Sequence, residues 1–127
     1  MRPLVLLVED DDHVRRAFRA LLTREGIDVI EAGDAETGIA AAREWLPDLV
    51  LLDVQLPGVS GWNTARAIKE DPVMHRMAVV AVTGLGGESD RDASYAAGCD
   101  YHLAKPVAAE LLLSTVRAIL RERGVIG

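Results

Sequence analysis

The sequence predicts an α/β domain in which one doubly wound sheet of five parallel strands carries five helices on its two faces. Three observations lead there. Leu4–Val8, Leu49–Leu52 and Ala78–Val82 are unbroken apolar runs, the pattern of central parallel strands covered on both sides. Stretches with apolar residues at helical spacing separate these runs, so strand and helix alternate along the chain. A length of 127 residues fits a single domain and is enough to hold a core without disulfide or metal staples.

Leu4–Val8 is the first strand. Val14, Ala17, Phe18, Leu21 and Leu22 then follow the i, i+3, i+4, i+7, i+8 rule, giving one amphipathic helix with Gly26 as its stop. Asp28–Glu31 places Val29 and Ile30 between acids, which suits an edge strand. Asp34 caps a second helix that runs to about Trp45, with Ala35, Ile39, Ala42 and Leu46 as its inner stripe and Pro47 helping to end it. Leu49–Leu52 is the third strand and delivers Asp53. Ser60 or Gly61 opens a third helix with Ala65, Ile68 and Trp62 facing inward; Asp71-Pro72 closes it, and Met74-His75-Arg76 is a loop. Ala78–Val82 is the fourth strand. Thr83-Gly84-Leu85-Gly86-Gly87 is so rich in glycine that it is expected to be mobile.

Ser89–Ala97 has helical propensity but few large apolar residues, so this fourth helix is expected to be weakly anchored before it stops at Gly98. Tyr101–Ala104 is the second edge strand. Pro106 precedes a fifth helix in which Leu112, Val116, Ile119 and Leu120 face inward, ending near Gly124. In the run Leu111-Leu112-Leu113 one side chain is left over for an apolar surface patch. Right-handed crossovers and short connections favour the flavodoxin-like strand order 2-1-3-4-5.

Composition narrows the function. A formal net charge of −6 argues against a nucleic-acid surface, which would need a basic face. No apolar stretch is long enough to span a membrane, and the first residues lack a signal-peptide pattern. Cys99 is a lone cysteine without zinc-ligand spacing, so a cytoplasmic protein is expected. The expected partners are proteins and a divalent cation.

In the order 2-1-3-4-5 the C-terminal ends of strands 1, 3, 4 and 5 lie side by side, at the edge where open α/β sheets bind ligands. Those ends carry Glu9-Asp10-Asp11-Asp12, Asp53, Thr83 and Lys105-Pro106. Two carboxylates 4 Å apart repel by about 4 kcal/mol at an effective dielectric near 20, so converging acids call for a cation. All-oxygen ligands suit magnesium or manganese. Asp11 and Asp12 also fit plain helix capping, and Asp53 also fits the cap of the turn at Gln55-Leu56-Pro57-Gly58. Lys105 and Thr83, ordinary when taken singly, together offer a point charge and a hydroxyl donor for phosphoryl oxygens.

Leu6-Leu7-Val8-Glu9-Asp10-Asp11, Leu51-Leu52-Asp53-Val54-Gln55-Leu56-Pro57-Gly58 with Gly61, Val82-Thr83-Gly84, Ala97-Gly98 and Lys105-Pro106 occur in that order. This series resembles the signature of the response-regulator receiver domain of two-component and phosphorelay signalling. The likeness covers residues 4–121 of a single domain, 1–127. The resemblance implies that Asp53 accepts a phosphoryl group from a phosphohistidine on a histidine kinase or phosphotransfer protein. It implies Mg2+ (or Mn2+) held by Asp10 and Asp53, by Glu9 through water and by the main-chain carbonyl of Gln55. Lys105, Thr83 and the amide of Gly84 would hold phosphoryl oxygens, and Gln55 and Leu85 occupy positions that tune hydrolysis. Such a domain catalyses only its own phosphorylation and dephosphorylation, and it signals to a downstream protein through the surface around its fourth helix, fifth strand and fifth helix.

The family pattern has Tyr or Phe three residues before the Lys, swinging inward as the Thr moves. This chain has His102 there, and strand alternation turns Tyr101 to the other face. His102 reads either as the switch residue or as an exposed edge-strand imidazole. Other doubly wound proteins fit less well. An FMN-binding flavodoxin relative needs a glycine- and hydroxyl-rich loop where this chain has acids. A haloacid-dehalogenase-type phosphatase needs Asp-x-Asp on a larger scaffold, and a Toprim-type nuclease fails at the same place. The remaining rival is a receiver-like interaction module that never takes phosphate. No output domain is expected after the last helix; the chain reads as a stand-alone regulator or as a module of a longer protein such as a hybrid histidine kinase.

Overall fold

A computed structural model describes residues 2–56, 60–84 and 88–127. The chain runs β1 (Leu4–Val8), α1 (Asp12–Arg24), β2 (Asp28–Ala32), α2 (Ala35–Trp45), β3 (Leu49–Asp53), α3 (Gly61–Glu70), β4 (Ala78–Thr83), α4 (Glu88–Ala96), β5 (Tyr101–Ala104) and α5 (Ala109–Glu122). The strands form one parallel sheet in the order β2-β1-β3-β4-β5. Strand, helix and order agree with the sequence reading. Asp53 and Thr83 stand as the last residues of their strands rather than just beyond them.

Alternation along the buried strands sends side chains to two cores. Leu6, Val8, Val50, Leu52, Val79 and Ala81 meet Ala35 and Ala42 of α2 and Ala65 and Ile68 of α3. Val5, Leu7, Leu49, Leu51 and Val80 meet Leu22 of α1 and Leu112, Val116, Ile119 and Leu120 of α5. The caps are side-chain oxygens that take up otherwise unpaired N–H groups. Asp11 accepts from the amides of His13 and Val14, Asp34 from that of Thr37, and Ser60 from that of Trp62. Among the described residues no helix is long and apolar enough to cross a membrane.

Two expectations need correction, the place of Leu46 and the bounds of the fourth helix. Leu46 does not join the inner stripe of α2: it caps the helix in the left-handed region (φ 46°), which swings its side chain out to 52% exposure. Met74-His75-Arg76 is a loop as expected, and within it Met74 is buried in the core together with Met77. The amphipathic α1 is found as expected, with Ala17 of its apolar stripe exposed and Val14 half-buried. The fourth helix begins at Glu88 and ends at Ala96, one residue earlier at each end than expected. Its only buried residue is Ser94, in keeping with thin apolar anchoring, but a polar tie was not foreseen: Trp62 Nε1 donates to Ser94 Oγ at 3.0 Å. Of the Leu111-Leu112-Leu113 run, Leu112 is buried, Leu113 packs against the core and Leu111 is left 49% exposed. Leu85, Gly86 and Gly87, and Pro57 and Gly58, lie outside the described residues, and with them the expectation of a mobile loop after Gly84.

Candidate functional site

Register aligns the strand ends. Val8 is level with Leu52, Asp53 with Val82, and Thr83 with Ala104. Glu9, Asp53, Thr83 and Lys105 therefore come out along one rim of the sheet, and the convergence drawn from the sequence is found. Lys105 Nζ donates to Asp53 Oδ2 and to Glu9 Oε1, each at 3.1 Å. Asp53, Glu9 and Thr83 are buried, whereas Asp10 is exposed at the mouth.

Asp53 is held at both carboxylate oxygens, because the Gln55 amide donates to Oδ1 at 2.9 Å while Lys105 takes Oδ2. Gly61 lets this strand end come close to α3: a Cβ on it would lie 2.2 Å from Val54 Cα, backbone that has no room to retreat. The Gln55 side chain reaches over Gly84, where a Cβ would meet Oε1 at 2.5 Å. Glu9 is fixed by its main chain, its amide donating to the Ala32 carbonyl at 3.0 Å and its carbonyl accepting from Arg15 Nη1 at 2.8 Å. Sequence reasoning missed Arg15, which looks like any other solvated arginine of α1. Asp11 caps α1, and Asp12 opens that helix and pairs with Arg15.

The electrostatics show an excess of acid over base. Burial and the neighbouring Asp53 push the Glu9 carboxyl up to about 7, against the pull of Lys105. Burial works against the charge of Lys105, but the carboxylates of Glu9 and Asp53 outweigh it and raise the ammonium above its usual value. One ammonium thus serves two buried carboxylates with a third at the rim. Oxygens of Glu9, Asp10 and Asp53 lie within 4.8 Å of one another, a donor set of hard anionic ligands that fits a divalent cation of the magnesium type.

His102 is half-buried, and its Nε2 lies 2.8 Å from Thr83 Oγ1. The exposed-imidazole reading is therefore set aside. Tyr101 turns to the opposite face and donates to Glu122 of α5, as strand alternation requires. Beside the site an apolar groove of about 630 Å³ runs between α1 and the segment after β5, lined by Val14, Ala17, Phe18, Pro106 and Val107 and reaching Gly84 and Lys105.

A family model described as "Response regulator receiver domain" matches residues 5–117. The chain is 36% identical over 126 residues to the response regulator PleD of Caulobacter vibrioides; the match takes in 99% of this chain but only 28% of PleD. It is 31% identical over 116 residues to the polar-differentiation response regulator DivK of Brucella anthropi, covering 91% of this chain and 94% of that one. Among solved structures, a response regulator receiver domain protein (CheY-like) from Methanospirillum hungatei JF-1 superposes with a TM-score of 0.91 at 27% identity, over 100% of both chains.

Proposed function

The chain belongs to the response regulator receiver domain family of two-component signalling, and on that premise we propose that Asp53 is its phospho-acceptor and that phosphorylation there switches a protein-interaction surface. The observation that carries this reading is Asp53 itself, a buried carboxylate at the end of a central strand with an ammonium at 3.1 Å. A carboxylate in such a place is costly unless its charge is used.

The phosphodonor is a phosphohistidine of a histidine kinase or histidine phosphotransfer protein, whose surface would cover the apolar groove beside Lys105. An Asp53 oxygen attacks phosphorus in line; the new P–O bond forms as the P–N bond breaks, and the imidazole leaves and takes a proton from water. The product is an acyl phosphate. Lys105 pairs with a phosphoryl oxygen, the Thr83 hydroxyl donates to another, and Gly84 contributes its amide and the space that a side chain would fill. Phosphoryl transfer of this kind needs positioning and charge neutralisation more than covalent assistance.

Glu9, Asp10 and Asp53, with the Gln55 carbonyl, are the groups that would hold Mg2+ or Mn2+. When bound, the ion supplies positive charge against the oxygens of the phosphoryl group. Water later removes that group, so the only turnover is of the domain's own phosphate, and Gln55 and Leu85 stand where they tune the rate. Output passes to a downstream protein through α4, β5 and α5, where Leu111 and Tyr95 are exposed.

Incubation with Mg2+ and acetyl phosphate, read by intact mass, tests the assignment. Wild type should gain one phosphoryl group and Asp53→Asn none. Equal labelling of both proteins, or no labelling of wild type with either acetyl phosphate or phosphoramidate, would favour an interaction module that never takes phosphate.

A further inference from the structure

Thr83 has a single hydroxyl proton, and two acceptors have a claim on it. One is His102 Nε2, 2.8 Å from Oγ1, which accepts when the ring carries its hydrogen on Nδ1. The other, on the reading above, is a phosphoryl oxygen on Asp53. Once the hydroxyl is turned to phosphate, the oxygen of Thr83 keeps its lone pairs but has no proton left for the imidazole. The contact with His102 then survives only if Nε2 carries a hydrogen.

The imidazole is set up to change state. Both side chains lie on the face of the sheet that carries α4, as the parity of β4 and β5 dictates: Tyr101 and Leu103 point to the opposite core. Among the described residues the charged groups near the ring are Arg91 and Asp90 of α4. Burial, helped by Arg91 and opposed by Asp90, holds the imidazole below its usual value and so favours its neutral form. The ring is only half-buried and can exchange protons with water.

We propose that His102 is a proton-linked positioning residue for Thr83. It accepts from the hydroxyl before phosphorylation, then takes up a proton and donates to the same oxygen once the hydroxyl has turned to the phosphoryl group. This rests on the reading of Asp53 as phospho-acceptor. The proton comes from solvent and stays on the ring as an imidazolium. The chain imidazolium N–H to Thr83 oxygen, Thr83 O–H to phosphoryl oxygen is one of donors in series, in which each bond strengthens the next. The phosphoryl group brings about −1.5 to −2 charge units, which favours the cation. By linkage the coupling runs both ways: a phosphorylated site raises the proton affinity of His102, and a protonated His102 tightens the hold on the phosphoryl group.

The test is an NMR titration of the 15N-labelled imidazoles in Mg2+, with and without beryllofluoride as a phosphoryl mimic. The chain has three histidines, so the His102 signals are identified by their loss in His102→Gln. In the free protein Nε2 should be unprotonated at pH 7. In the adduct the midpoint of His102 should rise by about one pH unit or more, the scale set by a neighbouring opposite charge, and Nε2 should carry a hydrogen. In Thr83→Val, which has no hydroxyl to pass the effect on, the rise should be clearly smaller than in wild type, leaving only what the charge does through space. An adduct that forms on wild type but not on Asp53→Asn, while the His102 midpoint stays put or falls, would overturn the proposal and leave the phospho-acceptor reading standing. A rise of equal size in Thr83→Val would also overturn it, since the charge would then act through space alone. Absence of any adduct would remove the phospho-acceptor reading and this proposal together.

Discussion

Glu9 is buried beside another acid, and its carboxyl is lifted to about 7 from an ordinary 4.5. A raised value means that the folded protein binds this proton more tightly than the unfolded chain does. The contribution of Glu9 to stability is therefore fully present below pH 4.5 and is lost as pH climbs to 7. Glu9→Gln should be more stable than wild type at pH 8 in EDTA, by on the order of 1–3 kcal/mol, with the difference gone near pH 4.5. Urea denaturation at the two pH values measures it, and a wild type that is the more stable at pH 8 would contradict it. Residues of this kind were legible to different depths. Asp53 stood out because it follows four apolar residues without a break. The Thr83–His102 bond did not, since strand parity gives the face of a side chain but not the rotamer that brings Nε2 to Oγ1.

The elements themselves were readable because continuous apolar runs and 3.6-residue periodicity seldom conflict in this chain. Their ends were not. The stripe Ala35, Ile39, Ala42 continues at Leu46 as a pattern, yet Pro47 forces the chain to leave the helix there, and Leu46 takes the left-handed conformation that closes it. An L-residue in that region costs about 1–2 kcal/mol, and a half-exposed leucine recovers little of it. Leu46→Gly should stabilise the protein by about 0.5–1 kcal/mol in thermal or urea unfolding, after the greater freedom of glycine in the unfolded chain is counted. The loop at Met74 was readable but its burial was not: Asp71 accepts from the amides of Val73 and Met74 and folds the segment back so that Met74 enters the core. In α4 the lack of large apolar residues was plain, whereas the Trp62–Ser94 tie depends on two elements meeting and leaves no trace in either one alone.

At the scale of the molecule, sheet order followed from handedness and loop length, and with it the gathering of distant residues at one rim. Folding brings Glu9, Asp10 and Asp53 together with, among the described residues, only Lys105 to oppose them, so the fold should gain stability from a divalent cation that the unfolded chain does not bind. A magnesium concentration tenfold above its dissociation constant should add about 1.4 kcal/mol, or a rise of roughly 3–6 °C in Tm for a domain of this size. The increment, read by calorimetry, should shrink below pH 7 as protons compete for Glu9, and it should vanish in Asp10→Asn/Asp53→Asn. An unchanged Tm in wild type at millimolar magnesium would speak against the cation site.

Asp53, Thr83 and His102 sit on β3, β4 and β5, three strands in succession. News of an event at the first has two strand spacings to cross, about 10 Å, before it reaches the outermost strand. By the proposed coupling that journey would run sideways through Thr83 and His102 at the strand ends and ask nothing of the packed layers beneath. On the proposed reading, such a domain would change what it shows the outside world while its interior stays as it was.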